Sequence, residues 1–202
     1  LVYVHDPMGF TMSEVMSGTV RLLTTLRTNG LVKYIGIAAD NPATAAEYIE
    51  TGIFDVATVS GAYSLLNQEA LRHVMPVAAK NNVGLVVTTA IERGLLATGA
   101  PLPGVKYIQR EFAPEIVRHV AHLNECSANW DVPLLAVALQ WVTRHPQVAC
   151  AIPGARTPEE ARMNTEAASL EIPDGLWEDL ESLIQHFPEL VPHTYRIIAD
   201  DC

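Results

Sequence analysis

Short apolar runs alternate with longer amphipathic stretches along the chain, and this alternation is its clearest structural signal. The apolar runs carry no charge in their interiors, which is typical of strands that are buried on both faces of a parallel sheet. They predict five strands, at residues 2–4, 33–39, 55–60, 84–89 and 148–152.

The stretches between the strands predict helices, by their apolar periodicity and by their start and stop residues. Ser13 is expected to cap the first helix and Gly30 to stop it. Pro76 should kink or shorten a later helix. The helices are expected at 12–29, 43–50, 67–80, 114–129 and 133–145 and from 158 and 173, with a Gly/Pro-rich loop at 92–110 and a tail at 187–202.

Strand and helix alternate five times, which indicates a parallel α/β fold. None of the five strands carries the charges that protect a sheet edge. A closed barrel has no edges, whereas a doubly wound sheet needs two. A (β/α)8 barrel takes about 250 residues, and this chain has 202. We therefore predict one domain over 1–202, the C-terminal five units of a (β/α)8 TIM barrel that is incomplete at its N-terminal side.

Composition narrows the class of protein. A formal net charge of -10 argues against a nucleic-acid partner and against an anionic membrane surface. No apolar run reaches membrane-spanning length, and no signal peptide opens the sequence. The cysteines Cys126, Cys150 and Cys202 belong to no metal or redox motif, so reduced thiols in a cytoplasmic protein are expected.

The segment QVACAIPGARTPEEARMN, at 147–164, predicts a strand, a tight turn and a helix entry. Thr157 is placed as the N-cap, Pro158 at the first helical position, and Glu160 completes a capping box. Such a junction presents unpaired backbone N–H groups and favours a phosphate. The alternative is an ordinary connection from strand to helix.

In a parallel barrel the active site lies at the carboxyl ends of the strands. His5 and Asp6 follow the first strand, and an imidazole there suits proton-coupled chemistry, although a simple hydrogen-bonding role is the alternative. His119 and His122 lack the acidic or Cys partners of a metal site, so we expect a solvated helix face and no metal.

Several segments in order point to a known family. They are HDP at 5–7, NGLVKYIGI at 29–37, FDVATVSGAYSLLN at 54–67 and LLAVALQWVTRHPQVACAIPGARTPEEARMN at 134–164. Together they resemble the aldo-keto reductase superfamily, and within it the branch of D-threo-aldose (L-fucose) and pyridoxal dehydrogenases. The resemblance extends to about Leu183.

The resemblance implies an NAD(P)-dependent oxidoreductase in which His5 belongs to a catalytic Tyr-Lys-Asp-His set. The tyrosine, lysine and aspartate belong to earlier strand units, so this chain alone is expected to be inactive. Tyr63 and Tyr107 are not taken as substitutes, and Tyr63 is expected to pack in the core. Met8 and Phe10 should line the substrate entrance. The expected reaction is oxidation of a sugar hemiacetal to a lactone, or reduction of a small aldehyde.

The resemblance also assigns cofactor-binding positions, several of which depart from the common pattern. Ala38 and Ala39 stand where many members have Ser-Asn to hold the nicotinamide amide, and Ser60 stands where they have Gln. Thr88 lies near the place of a stacking aromatic. The other positions are Gly94, Leu95, Gly154, Arg156, Glu160 and Asn164.

The choice between NAD and NADP depends on the turn from strand to helix at 153–160, which we call the phosphate corner. Members that prefer NADP have basic residues where this chain has Gly154 and Glu160. A carboxylate repels a 2′-phosphate but accepts hydrogen bonds from a free ribose diol, so NAD is the preferred expectation. Glu160 occupied in its capping box, with Arg156 or Arg162 reaching a phosphate, is the alternative and favours NADP.

A rival reading of the chain is a non-catalytic barrel that binds a nucleotide or a partner, as some members of the superfamily do. The loss of side-chain ligands at Ala38 and Ala39 favours this rival, whereas His5 at a strand end favours the enzyme.

Overall fold

The computed structural model describes residues 1–102 and 112–190, apart from the side chain of residue 189. Tyr107, Cys202 and most of the predicted tail lie outside these residues. The strands are β1 Val2–His5, β2 Ile35–Ala38, β3 Val56–Val59, β4 Gly84–Val87 and β5 Val148–Ala151. The helices are α1 Met12–Val15, α2 Arg21–Thr28, α3 Pro42–Glu50, α4 Val74–Asn81, α5 Leu95–Thr98, α6 Pro114–Ala128, α7 Leu134–Thr143, α8 Pro158–Ser169 and α9 Asp174–Glu181.

The five strands form one parallel sheet in chain order, β1-β2-β3-β4-β5. All five predicted strands are present; β2 to β5 are shorter than their apolar runs, and β1 extends one residue further than predicted, to His5. The register pairs His5 with Ala38 and Val59 with Val87, so the carboxyl ends of the strands lie along one rim. A bulge between Leu85 and Val86 shifts the register toward β5.

The sheet curls, because its two outer strands approach each other. Burial, and then the nearby Cys150 thiol, raise the pKa of the Tyr3 phenol. Tyr3 lies on β1 and Cys150 on β5, which a flat five-stranded sheet would keep well apart, since neighbouring strands are about 4.8 Å apart. This curvature agrees with the predicted barrel wall and not with an open doubly wound sheet.

Gly36 leaves room for the ring of Tyr3 on one face of the curved sheet. A Cβ on Gly36 would lie 2.4 Å from two ring carbons of Tyr3, its partner in the β1–β2 register. The other face of the sheet packs against the helices through fully buried side chains such as Ile35, Ile37 and Leu85.

The first helical stretch is capped by Thr11, two residues before the predicted cap, Ser13. The Thr11 hydroxyl accepts a hydrogen bond from the Glu14 N–H, and the Glu14 carboxylate accepts one from the Thr11 N–H at 2.8 Å, which is a capping box. The stretch runs from α1 through a π-helical turn, Met16–Val20, into α2. It ends before Gly30, which has a φ of +75°.

Two predicted elements differ in the structure. The helix expected at 67–80 is replaced by a 3₁₀ turn, Glu69–Leu71, and the shorter α4. Pro76 lies in the first turn of α4, where a missing N–H is tolerated, so it shortens the helix without kinking it. The loop expected from residue 92 contains a 3₁₀ turn, Glu92–Gly94, and α5, because Leu95 and Leu96 are fully buried.

The core extends past the last helix of the described chain. Phe187 and Leu190 are buried, and the Phe187 N–H donates a hydrogen bond to the Leu66 carbonyl at 2.9 Å. The start of the predicted tail therefore packs on the loop that follows β3. Within 1–102 and 112–190, no helix is both long and apolar enough to cross a membrane.

Candidate active site

His5 ends β1 at the rim formed by the carboxyl ends of the strands. Its side chain is 74% exposed, and its Nδ1 lies 3.3 Å from the carboxylate of Asp6. Asp6 has a φ of +48°, and its N–H donates a hydrogen bond to the Ala38 carbonyl at 2.9 Å. A backbone strained in this way is kept only where its surroundings hold it, so the imidazole is presented to solvent at the rim with a carboxylate beside it.

Asp40 is a second carboxylate at this rim and is not among the predicted site residues. Burial and the charge of Asp6 raise the pKa of Asp40, while a hydrogen bond from the Ser60 hydroxyl and the charges of His5 and Arg93 oppose that rise. Asp40 and Ser60 also line one small cavity. The signal in the sequence was an acidic residue directly after a predicted strand, in IAADN.

Ala38 and Ala39 are both buried, and their methyl groups offer no hydrogen bond to a ligand. The polar side chain nearest to them in the sequence is Asp40, which therefore stands beside the positions where many members of the resembled family have a Ser-Asn pair. The structure thus brings together His5, Asp40 and Ser60 at one end of β1, β2 and β3.

The loops that follow β3 and β4 are tied to each other. The Thr88 N–H donates to the Val59 carbonyl at 3.0 Å, and the Gly61 N–H donates to the Thr89 hydroxyl. Thr88 is half-buried, and a threonine side chain gives no aromatic surface for stacking. Its observed role is to continue the pairing of β3 with β4.

A buried pair of side chains crosses the same two loops. The Ser64 hydroxyl donates a hydrogen bond to Oε1 of Glu92 at 2.5 Å, and both side chains are almost fully buried. Glu92 is followed by Arg93 and by Gly94, which has a φ of +104°. A Cβ on Gly94 would meet no atom within 4 Å, whereas the next residue, Leu95, is fully buried.

The junction of β5 and α8 forms a separate cluster. The Thr157 hydroxyl accepts a hydrogen bond from the Glu160 N–H at 3.1 Å, as predicted for the N-cap. The Glu160 carboxylate, however, accepts its shortest hydrogen bond, 2.6 Å, from the N–H of Arg156. The Asn164 amide donates to the Gly154 carbonyl at 3.1 Å and so supports the turn.

The two basic side chains of this corner face carboxylates. The Arg156 guanidinium lies 2.8 Å from Glu160 Oε1, and Arg162 pairs with Glu159. Hydrogen bonds from the Arg156 side chain and backbone lower the pKa of Glu160. The corner is therefore a network of exposed ion pairs in this structure.

The remaining predicted positions lie either in the loop after β1 or in the core. Phe10 is 68% exposed and Met8 half-buried, both in the loop after β1. Tyr63 is buried against Trp141 with ring centres 4.8 Å apart, and burial raises its pKa to about 12. Tyr63 thus packs in the core, as expected.

His119 differs from its predicted place on a solvated face. Its Nε2 is buried and makes no hydrogen bond among the described residues, and its ring packs on Phe187 with centres 5.3 Å apart. Burial is the main cause that lowers its pKa. His122, one turn further along α6, is exposed.

The residues present fit a dinucleotide at two points. At Gly94 and at Gly154 an added Cβ would project into open space, so both backbones can be approached closely by a ligand. Gly94 follows β4 and Gly154 follows β5, which puts both on the rim with His5. A carboxylate and a hydroxyl, Asp40 and Ser60, supply polar groups on the same rim.

Comparison with known proteins agrees with this geometry. Residues 1–185 match the model of the Aldo/keto reductase family. The chain is 31% identical over 180 residues to D-threo-aldose 1-dehydrogenase of Pseudomonas sp, covering 89% of this chain and 55% of that protein. It is also 31% identical over 192 residues to pyridoxal 4-dehydrogenase of Microbacterium luteolum, covering 90% and 56%. The chain thus spans about half the length of these curated relatives.

A solved structure supports the fold. The aldo-keto reductase of Bacillus halodurans in its apo form superposes with a TM-score of 0.70 at 23% identity, covering 95% of this chain and 65% of that one. This likeness agrees with five consecutive units of a (β/α)8 barrel.

Proposed function

The chain belongs to the aldo/keto reductase family, and we propose that the whole protein is an NAD(P)-dependent oxidoreductase. Its substrate is a sugar or another small carbonyl or alcohol compound, and the favoured reaction oxidises an aldose such as L-fucose or a D-threo-aldose to its lactone. The two dehydrogenases that are 31% identical to the chain support this class of substrate.

The observation that carries the proposal is the position of His5 at the carboxyl end of β1, with Asp6 beside it. When Nδ1 of His5 carries the proton and donates it toward the Asp6 carboxylate, the other ring nitrogen, Nε2, is left to face a substrate oxygen. In this arrangement His5 orients the hydroxyl or carbonyl of the substrate and shares its proton. When bound, the nicotinamide supplies or accepts the hydride.

Other residues of the chain bind and orient. Met8 and Phe10, in the loop after β1, provide apolar contacts at the entrance. Ser60 and Thr88, with the backbone of Ala38 and Ala39, would hold the nicotinamide side of the cofactor. The phosphates and the adenosine ribose would be held by Gly94, Leu95, Gly154, Arg156, Glu160 and Asn164, of which Gly94 and Gly154 leave open space on their Cα atoms.

We favour NAD over NADP as the cofactor. Glu160 stands where a cation would be needed for a 2′-phosphate, and Arg156 is engaged with it at 2.8 Å. We place the protein in the cytoplasm, because Cys126 and Cys150 are free thiols.

The test is turnover by the whole protein, followed by the absorbance of the reduced nicotinamide. L-Fucose and other aldoses should be oxidised with NAD, and small aldehydes should be reduced in the reverse direction. Turnover of bulky ketones or steroids alone would contradict the substrate class.

The second candidate is a barrel that binds a nucleotide or a partner without catalysis, which the buried methyl groups of Ala38 and Ala39 favour. It predicts that the protein binds a dinucleotide, measured by quenching of tryptophan fluorescence, yet turns over none of these substrates.

A further inference from the structure

Glu92 and Ser64 form a buried polar pair that the proposed reaction does not use. Glu92 is 1% exposed and Ser64 fully buried. The Ser64 hydroxyl donates to Glu92 Oε1 at 2.5 Å and accepts from the Leu66 N–H at 3.1 Å. The hydroxyl is therefore oriented from both sides, and it joins the loop after β3 to the loop after β4. A buried carboxylate is costly without such partners, so the pair fixes the position of Glu92.

The segment that this pair holds has an unusual backbone. Glu92, Arg93 and Gly94 have φ values of +44°, +59° and +104°, three consecutive residues in the left-handed region. Glycine adopts this region readily, but Glu92 and Arg93 have a Cβ and are strained there. Such a run persists only where its surroundings enforce it.

The strained segment lies at the carboxyl end of β4 and faces the candidate active site. The charge of Arg93 is one of the causes that oppose the raised pKa of Asp40, so the two side chains interact across the rim. Gly94, the next residue, leaves open space on its Cα. Buried Glu92 thus anchors the two residues that follow it, the cation of Arg93 and the accessible backbone of Gly94.

We propose that Ser64 and Glu92 are positioning residues, which hold residues 92–94 in a strained conformation and thereby fix Arg93 for a bound dinucleotide. This proposal rests on the proposed function and adds two residues that do not touch the ligand themselves. Without the pair, the segment relaxes toward ordinary backbone angles. Arg93 then moves away from Asp40, and the Gly94 backbone no longer faces the ligand.

A purely structural role for the pair makes a different prediction. It would lower the melting temperature when the hydrogen bond is removed but leave dinucleotide affinity unchanged. The positioning role acts through Arg93, so loss of the Ser64 hydroxyl should matter only while Arg93 is present.

The experiment is a double-mutant cycle in the whole protein with Ser64→Ala, Arg93→Ala and the double variant. The dissociation constants of NAD and NADH are measured by quenching of tryptophan fluorescence, beside the melting temperature. Each single variant should weaken binding roughly tenfold, which is the effect of one lost charge-assisted contact. The double variant should bind no more weakly than Arg93→Ala alone.

Two further variants complete the design. Ser64→Thr keeps the hydroxyl and should restore most of the affinity. Thr98→Ala removes a hydroxyl from the end of α5, where it contacts the Ala100 carbonyl at 2.6 Å, and should leave binding unchanged.

An unchanged dissociation constant in Ser64→Ala, or additive effects in the cycle, would overturn the proposal. If Ser64→Ala does not fold, Glu92→Gly replaces it, because glycine relieves the strain at residue 92 while the carboxylate is lost. Weaker binding by that variant supports the positioning role, and unchanged binding overturns it. A wild-type protein that binds neither NAD nor NADP would instead refute the proposed function, and this proposal with it.

Discussion

The guanidinium of Arg156 lies 2.8 Å from Oε1 of Glu160 at the entry of α8, and the same carboxylate accepts a hydrogen bond from the Arg156 backbone. Arg156 therefore contacts Glu160 twice, through its side chain and through its main chain. In this arrangement the most exposed cation of the corner faces a carboxylate that would repel a 2′-phosphate.

Exchange of this carboxylate should change the choice of cofactor. We expect Glu160→Arg to move the ratio of kcat/KM for NAD and NADP toward NADP by at least about tenfold, because it removes the repulsion and releases Arg156. Glu159→Arg, which alters the neighbouring carboxylate that pairs with Arg162, is the matched control and should move the ratio less. A wild-type preference for NADP would refute the assignment of this corner.

His5→Ala should lower kcat/KM of the whole protein by roughly 10²-fold or more, the range expected for an acid-base partner. The melting temperature should change little, since the imidazole is 74% exposed. His122→Ala removes an exposed histidine from α6 and serves as the control. Steady-state kinetics that are the same for His5→Ala and wild type would remove His5 from the mechanism.

The capping box at Thr11 predicts a difference between two neighbouring hydroxyl residues. Thr11→Ala should lower the free energy of unfolding by about 1 kcal/mol, because the Glu14 N–H of the first turn loses its hydrogen-bond acceptor. Ser13→Ala, inside α1, should have a much smaller effect. Urea unfolding followed by circular dichroism measures both, and equal effects would show that the cap does not stabilise the helix.

Gly36→Ala should destabilise the protein by about 1–3 kcal/mol, since the added methyl group would overlap the Tyr3 ring. Gly18→Ala is the matched control, because a Cβ there meets no atom within 4 Å and alanine favours a helix. Tyr3→Ala combined with Gly36→Ala should recover part of the loss. Thermal unfolding of these three variants and of Tyr3→Ala alone tests this, and an unchanged melting temperature in Gly36→Ala would show that the Tyr3 ring can move aside at little cost.

Asp40 predicts a pH-dependent change in stability. Burial and Asp6 raise its pKa in the folded protein, so its contribution to stability is full below the ordinary pKa of an aspartate and is lost as the pH rises through the raised value. Asp40→Asn should therefore raise the melting temperature at pH 7, and the gain should disappear below about pH 4. The exposed Asp131→Asn should show no such trend, and a gain that persists at low pH would argue against this cause.

Much of the fold could be predicted from the sequence because its signals are local. The apolar runs located all five strands, and Thr157 was identified as an N-cap from the residues that follow it. The Thr11 cap has the same signature, T-x-x-E at 11–14, which the prediction of Ser13 as the cap overlooks. β2 to β5 are shorter than predicted because the ladder of paired residues ends before the apolar run does, as at Lys33 and Ala39 on either side of β2.

The candidate site was predictable only where its residues adjoin a strand end. His5, Asp40 and Ser60 all follow predicted strands, but no role is predicted for Asp40, because its burial and its position near Asp6 depend on the folded sheet. The Ser64–Glu92 pair lies 28 residues apart in two loops, and no local pattern joins them. Arg156 and Glu160 were both noted, but their mutual contact depends on the angle at which the turn enters α8.

Every strand pair in this sheet joins two strands that are consecutive in the chain. During synthesis on the ribosome, each strand therefore has its neighbour already in place when it emerges. The three connections from β1 to β4 span 17 to 29 residues, so the entropy lost at each of these closures is small, whereas 60 residues lie between β4 and β5. The chain can thus assemble in the order in which it is made, with each new strand and helix added to a folded template.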